Sequence, residues 1–124
     1  MAHPFRRAAE AKDLDLLREV LREDVVLHSP VLFRGFEGRE AVAFVLGHVA
    51  ATLEDLTYTG ELSEEGAVAL RFEARVGDRE LEGIDLLELD EEGRVAELTV
   101  FMRPLSAITA FNERMGERLG TAPA

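Results

Sequence analysis

Three stretches of the chain repeat their hydrophobic positions at helical spacing. In Asp13–Arg22, Leu14, Leu17, Val20 and Leu21 form one stripe, and Asp13 is placed to cap the first free amides. Ahead of it, Pro4 opens a short helix that turns Phe5, Ala8 and Ala9 inward. Arg39–Leu53 carries Val42, Val45, Leu46, Val49 and Leu53 on one side. The third stretch follows Pro104, where Leu105, Ile108, Phe111, Met115 and Leu119 recur until a stop near Gly120.

Elsewhere the period is two. Asp24-Val-Val-Leu-His-Ser-Pro30 is β-branched and ends at a residue that cannot donate to a ladder, so it predicts a short strand. Leu56, Tyr58, Gly60 and Leu62 alternate with polar neighbours, as do Val68, Leu70, Phe72, Ala74 and Val76. Gly77-Asp78 suits a tight hairpin, after which Leu81, Gly83, Asp85, Leu87 and Leu89 share a face. Beyond the turn Asp90–Gly93, the strand Arg94–Arg103 sets Leu98, Val100 and Met102 on one side and Val95, Thr99 and Phe101 on the other. The predicted order is helices, a strand, a helix, a four-stranded antiparallel meander and a final helix. That order is α+β, a curved and mostly antiparallel sheet wrapped by helices.

Composition narrows the function classes. In 124 residues there are 14 basic and 25 acidic side chains, a net charge of −11, and 47% of residues are hydrophobic. One domain over residues 1–124 with one core is expected, and intrinsic disorder is excluded. The acidic balance and single Lys disfavour phosphate backbones and anionic lipid surfaces, so neither nucleic acid nor a membrane is an expected partner. Without an apolar run long enough for a signal peptide or a membrane span, the expected location is cytoplasmic. With no Cys, thiolate chemistry, Cys-ligated metals and disulfides are ruled out. Asn112 is the sole Asn and Gln is absent, which fits equally a protein working hot or a codon bias.

Familiar chemical motifs are missing. There is no nucleophile elbow, phosphate loop, dinucleotide fingerprint or paired-His metal helix, and His3, His28 and His48 have no metal-ligand spacing. No cofactor or metal is therefore expected. Asp85 stands out because it shares a face with Leu81, Leu87 and Leu89, where an ionised carboxylate is costly. It is either a carboxylate at a rim or paired with Arg, or a pocket acid acting on a ligand. Strand alternation lets only one of His28 and Ser29 face inward: Ser29 if Val25 and Leu27 do, His28 if Pro30 distorts the strand end. His48, one turn after Phe44, reads as a surface or interface residue, and Arg103 as a salt bridge at a strand end. Phe36, Phe44, Phe72, Phe101 and Met102 read as core or as the wall of a hollow.

Asp24-Val-Val-Leu-His-Ser-Pro30, Glu37-Gly-Arg-Glu-Ala-Val42 and Gly83-Ile-Asp-Leu-Leu-Glu-Leu-Asp-Glu-Glu-Gly-Arg-Val95 carry a resemblance. From Phe5 to Met102 the chain resembles the nuclear transport factor 2-like cone fold, in its branch of SnoaL-like polyketide cyclases and ketosteroid isomerases. The resemblance implies a curved sheet and three helices around a deep pocket, often paired through the outer sheet face. It sets Asp85 where ketosteroid isomerases keep a protonated Asp in the oxyanion hole. Their general-base Asp falls on Ser29, their oxyanion Tyr on Phe5, and the supporting Tyr near Leu46, so standard ketosteroid isomerisation is not implied. The Asp–Arg–Asp set of limonene epoxide hydrolases is not recognisable. The implied pocket lining is Val25, Leu27, Ser29, Val42, Leu46, Leu70, Phe72, Asp85, Leu98, Val100 and Met102.

Three functions follow as expectations. The first is an isomerase, cyclase or hydrolase acting on a small, apolar, oxygen-bearing molecule, with Asp85 as acid and His28 as its partner. The second is a binding module using the same pocket. The third is a dimerisation domain whose hollow is self-filled. A homodimer through Val95, Thr99 and Phe101 is expected, because that outward set is apolar.

Overall fold

The computed structural model describes residues 3–120. Two short helices, α1 (Pro4–Ala11) and α2 (Leu14–Val20), start the chain. Each is capped by a side chain: His3 Nδ1 accepts from Phe5 N at 3.1 Å, and Asp13 Oδ1 accepts from Leu16 N at 3.1 Å. Next come β1 (Leu21–His28), the two-residue β2 (Phe36–Glu37) and α3 (Arg39–Thr52). The meander β3 (Glu54–Glu64), β4 (Ala67–Val76), β5 (Arg79–Leu89) and β6 (Val95–Arg103) leads into α4 (Leu105–Leu119). Gly77, at φ 61°, turns β4 into β5.

The six strands form one sheet in the order β2-β1-β6-β5-β4-β3, antiparallel except where β1 runs parallel to β6. The fold is α+β, with a curved sheet cupped around helices. Val68, Leu70, Phe72, Ala74 and Val76 of β4 are all buried on the concave face, while Arg71 and Glu73 between them are exposed. Helices α1, α3 and α4 pack into the cup. The alternation along the strands is what makes one face a core and leaves the other to solvent.

Three expectations are corrected by irregular pairing. The second helix stops at Val20 rather than Arg22, because Leu21 is already paired with Val95 and is fully buried as a strand residue. Val95 is itself buried in the core rather than outward: the register shifts between Glu88 and Leu89, so Val95 and Leu98 turn to the same side. In β3 a shift between Tyr58 and Gly60 throws Leu62 out, 78% exposed, and brings Glu61 opposite the inward Leu70. Leu105, read as part of the apolar stripe of the last helix, is exposed at its start.

Candidate functional site

The cup does not fill completely. A cavity of about 190 Å³ remains between the concave face of the sheet and the helices. Its deep wall is built by Phe5, Leu27, Leu46, Tyr58, Phe72 and Asp85, all buried. Its rim carries the exposed Lys12, Asp13, Leu14 and Leu32. Helix α4 forms the remaining side through Phe111, Asn112, Met115, Gly116 and Leu119.

Asp85 is 7% exposed, and Leu70 and Val100 flank it as its neighbours on β4 and β6. Its partner is Tyr58, whose hydroxyl donates to Asp85 Oδ2 at 2.6 Å. Tyr58 reaches across β4 from β3, its ring edge-on to Phe72 with centroids 6.0 Å apart. Phe72 can lie there because Gly83, its neighbour on β5, has no side chain: a Cβ would sit 2.6 Å from Phe72 Cζ and 2.1 Å from the Phe101 carbonyl oxygen. The strand of Tyr58 is tied to α1 at that residue, with Tyr58 N donating to Glu10 Oε2 at 3.0 Å and Arg6 Nη2 donating to Tyr58 O at 2.9 Å.

The electrostatics follow from this burial. Loss of water pushes the Asp85 carboxyl up to about 7, against the smaller downward pull of the Tyr58 hydroxyl. Burial, then the nearby Asp85 carboxylate, drives the Tyr58 phenol above its ordinary value, so it remains a proton donor. Around neutral pH the pair therefore holds either one or two protons, in a largely apolar hollow.

A family model for the SnoaL-like domain matches residues 2–98. The chain belongs to the SnoaL-like family. Among solved structures, this SnoaL-like protein is similar to a steroid delta-isomerase from Pseudomonas aeruginosa: 36% identity, TM-score 0.89, with 94% of this chain and 86% of that one covered. It is also similar to an uncharacterised bacterial protein with a cystatin-like fold from Silicibacter pomeroyi: 31% identity, TM-score 0.91, with 95% and 84% covered. An NTF2-like protein of unknown function from Cytophaga hutchinsonii shares the fold at 17% identity, TM-score 0.67, with 85% and 88% covered. No curated protein matches. The family match ends before α4, so that wall of the cavity lies outside it.

Within this SnoaL-like fold, the residues singled out in the sequence divide. Leu27, Ser29, Leu46, Phe72, Asp85, Val100 and Met102 line the cavity. Val25, Val42, Leu70 and Leu98 do not: they are packed at 0% exposure in the core beside it, a layer that shares their inward phase but is sealed by neighbours. His28 lies on the outer face, because Val25 and Leu27 point inward and alternation sends it out; its Nε2 is 2.9 Å from Glu97 Oε2. Ser29 Oγ turns to its own loop and accepts from Leu32 N at 3.1 Å. His48 stacks edge-on to Phe44 at 4.8 Å, and Arg103 donates to Glu82 at 3.0 Å. Phe36 joins the lining, whereas Phe44 and Phe101 are exposed. Among the described residues no cluster of three or more His, Asp or Glu could hold a metal, and no helix is long and apolar enough to cross a membrane.

The sequence reading missed Tyr58 as the partner of Asp85. A signal was present, since the sole Tyr of the chain falls on the inward phase of a strand in the same meander.

Proposed function

We propose that the cavity takes a small, apolar, oxygen-bearing molecule, and that Asp85, bridged to Tyr58, donates a hydrogen bond or a proton to that oxygen. The observation that carries this reading is the 2.6 Å contact between two buried hydroxyl-bearing groups on the deep wall of a largely apolar hollow. A neutral acid there stabilises negative charge developing on a carbonyl oxygen far better than water does, because little surrounds it to screen the interaction. Similarity to a steroid delta-isomerase supports an isomerisation. The reaction class is isomerisation, cyclisation or hydrolysis. With His28 outside and Ser29 where the resemblance places a general base, Asp85 is the ionisable carboxyl of the deep wall and both gives and recovers the proton.

A second reading, a binding module without turnover, is favoured by that same shortage of a second base. Deuterium exchange separates the two. In D2O, an added cyclic ketone should exchange the hydrogens beside its carbonyl faster with the protein than with Asp85→Asn. Binding without any protein-dependent exchange decides for the module.

The rest of the reading is a single domain over 1–124, acting in the cytoplasm as a homodimer. Support for pairing comes from the outer sheet face, where Ile84 and Phe101 are opposite one another on β5 and β6 and both exposed.

A further inference from the structure

We propose that Arg6 and Glu10, one turn apart on α1, are positioning residues for the polar pair: together they grip the backbone of Tyr58 and so keep its phenol on Asp85. This rests on the reading of Tyr58 and Asp85 as the working groups of the cavity, and adds the residues that hold the first against the second.

Tyr58 lies on an edge strand, because β3 ends the sheet and has β4 on one side only. Its register with β4 is broken on both sides, between Glu54 and Thr57 and again between Tyr58 and Gly60. Thr57 and Tyr58 alone keep step with Glu73 and Phe72 between the breaks. Ahead of them Asp55 has a φ of 54°, in the left-handed region. So short a paired stretch fixes the phase of a strand poorly, and a slip of one residue would carry the Tyr58 ring to the opposite face.

A helix supplies the missing neighbour. Tyr58 N donates to Glu10 Oε2 at 3.0 Å, and Tyr58 O accepts from Arg6 Nη2 at 2.9 Å. The two side chains also face one another, with Arg6 Nε 3.9 Å from Glu10 Oε1. A donor and an acceptor one helical turn apart thus answer both backbone polar groups of a single strand residue, as an adjoining strand would. Each bond has a charged partner, which makes it stronger than a neutral one. The same helix sends the buried Phe5 into the deep wall, so α1 is anchored at the level it has to hold.

Other charged groups do not share the task. Lys12 and Asp13 are at the rim, and Leu70 separates Glu61 from Asp85 along their row of the sheet. The residues that α3 and α4 present to the cavity are uncharged.

The test is carboxyl carbon NMR titration of Asp85 in the full chain, with no ligand added. Glu10→Ala releases the Tyr58 amide and should raise the Asp85 midpoint by about half a pH unit or more, since less of the phenol's hydrogen bond then reaches the carboxylate. Glu10→Gln keeps an acceptor for that amide and should raise it by less than about half as much. These signs separate positioning from charge: acting through space alone, loss of the Glu10 carboxylate would lower the midpoint in both variants. Added to Tyr58→Phe, Glu10→Ala should produce no further rise. Arg6→Met should raise the midpoint and Arg6→Lys should restore it. An unmoved or lowered midpoint in Glu10→Ala, whatever its urea stability, overturns the proposal and leaves α1 a structural tie. A rise from Glu10→Ala or Arg6→Met that persists in the Tyr58→Phe background overturns it as well. Because no ligand is involved, these failures leave the pocket reading standing, whereas a wild type that promotes no ketone exchange removes that reading and leaves the grip.

Discussion

Gly83 and Phe72 occupy one space between them: a methyl group on the first would lie 2.6 Å from the ring of the second. The ring in turn stands edge-on to Tyr58 and so backs the phenol that reaches Asp85. A position with no side chain on β5 thus supports the polar pair from behind. Gly83→Ala should cost about 2–3 kcal/mol, as overpacking in a closed core does. Urea unfolding checks it. Adding Phe72→Leu should recover only part of the loss, since the clash with the Phe101 carbonyl oxygen remains.

Asp85 should make the protein less stable as pH rises. The carboxyl sits near 3.8 when exposed and about 7 when folded. Between these values the unfolded chain has released the proton and the folded chain has not, so raising pH favours unfolding. Stability should decline from about pH 4 to about pH 7, by on the order of 4 kcal/mol at full burial, and then level off. Asp85→Asn should remove this slope and be more stable than wild type near pH 8. Urea midpoints across the range decide the sign.

Tyr58→Phe should move the Asp85 midpoint further up. The phenol donates to the carboxylate and is the influence that opposes desolvation, so removing it leaves burial unanswered. Carboxyl carbon NMR titration should place the variant above the wild-type midpoint of about 7. A lower midpoint would mean the phenol acts mainly as an acceptor. Stability should fall by about 1 kcal/mol at low pH.

Phe101→Glu should give a monomer. It adds a charge to the outer sheet face beside Ile84, the face assigned to a second copy of the chain. Sedimentation at micromolar concentration reads the change directly, and a wild-type protein already monomeric would refute the assignment.

No salt-dependent affinity for duplex DNA should appear at physiological salt, given the net charge of −11. Fluorescence anisotropy with a labelled duplex tests this.

Most of the architecture was legible because the concave face is apolar at every second residue of β4 and β5, and Asp85 is the one carboxylate interrupting that row. The phase argument also resolved His28 and Ser29 once Val25 and Leu27 proved to face inward. What escaped were positions governed by irregular pairing. Val95 and Leu62 sit next to register shifts, and a one-residue shift reverses a side chain's face without altering the sequence pattern. Tyr58 escaped for a different reason. It meets Asp85 across an intervening strand, a contact set by sheet curvature and by the gap at Gly83, which a linear pattern does not encode. Val25, Val42, Leu70 and Leu98 carry the same inward signal as the lining residues, and only the packing of the helices determines which of them reach the hollow.

Helix α4 supplies Phe111, Met115 and Leu119 to the cavity but neither member of the polar pair, which sits on β3 and β5. Reactivity and fit are therefore written in different segments of the chain. A grafted helix of different bulk across residues 105–119 would act like a changed stopper in an unchanged flask, resetting which molecules fit while the proton-bearing groups beneath keep their chemistry.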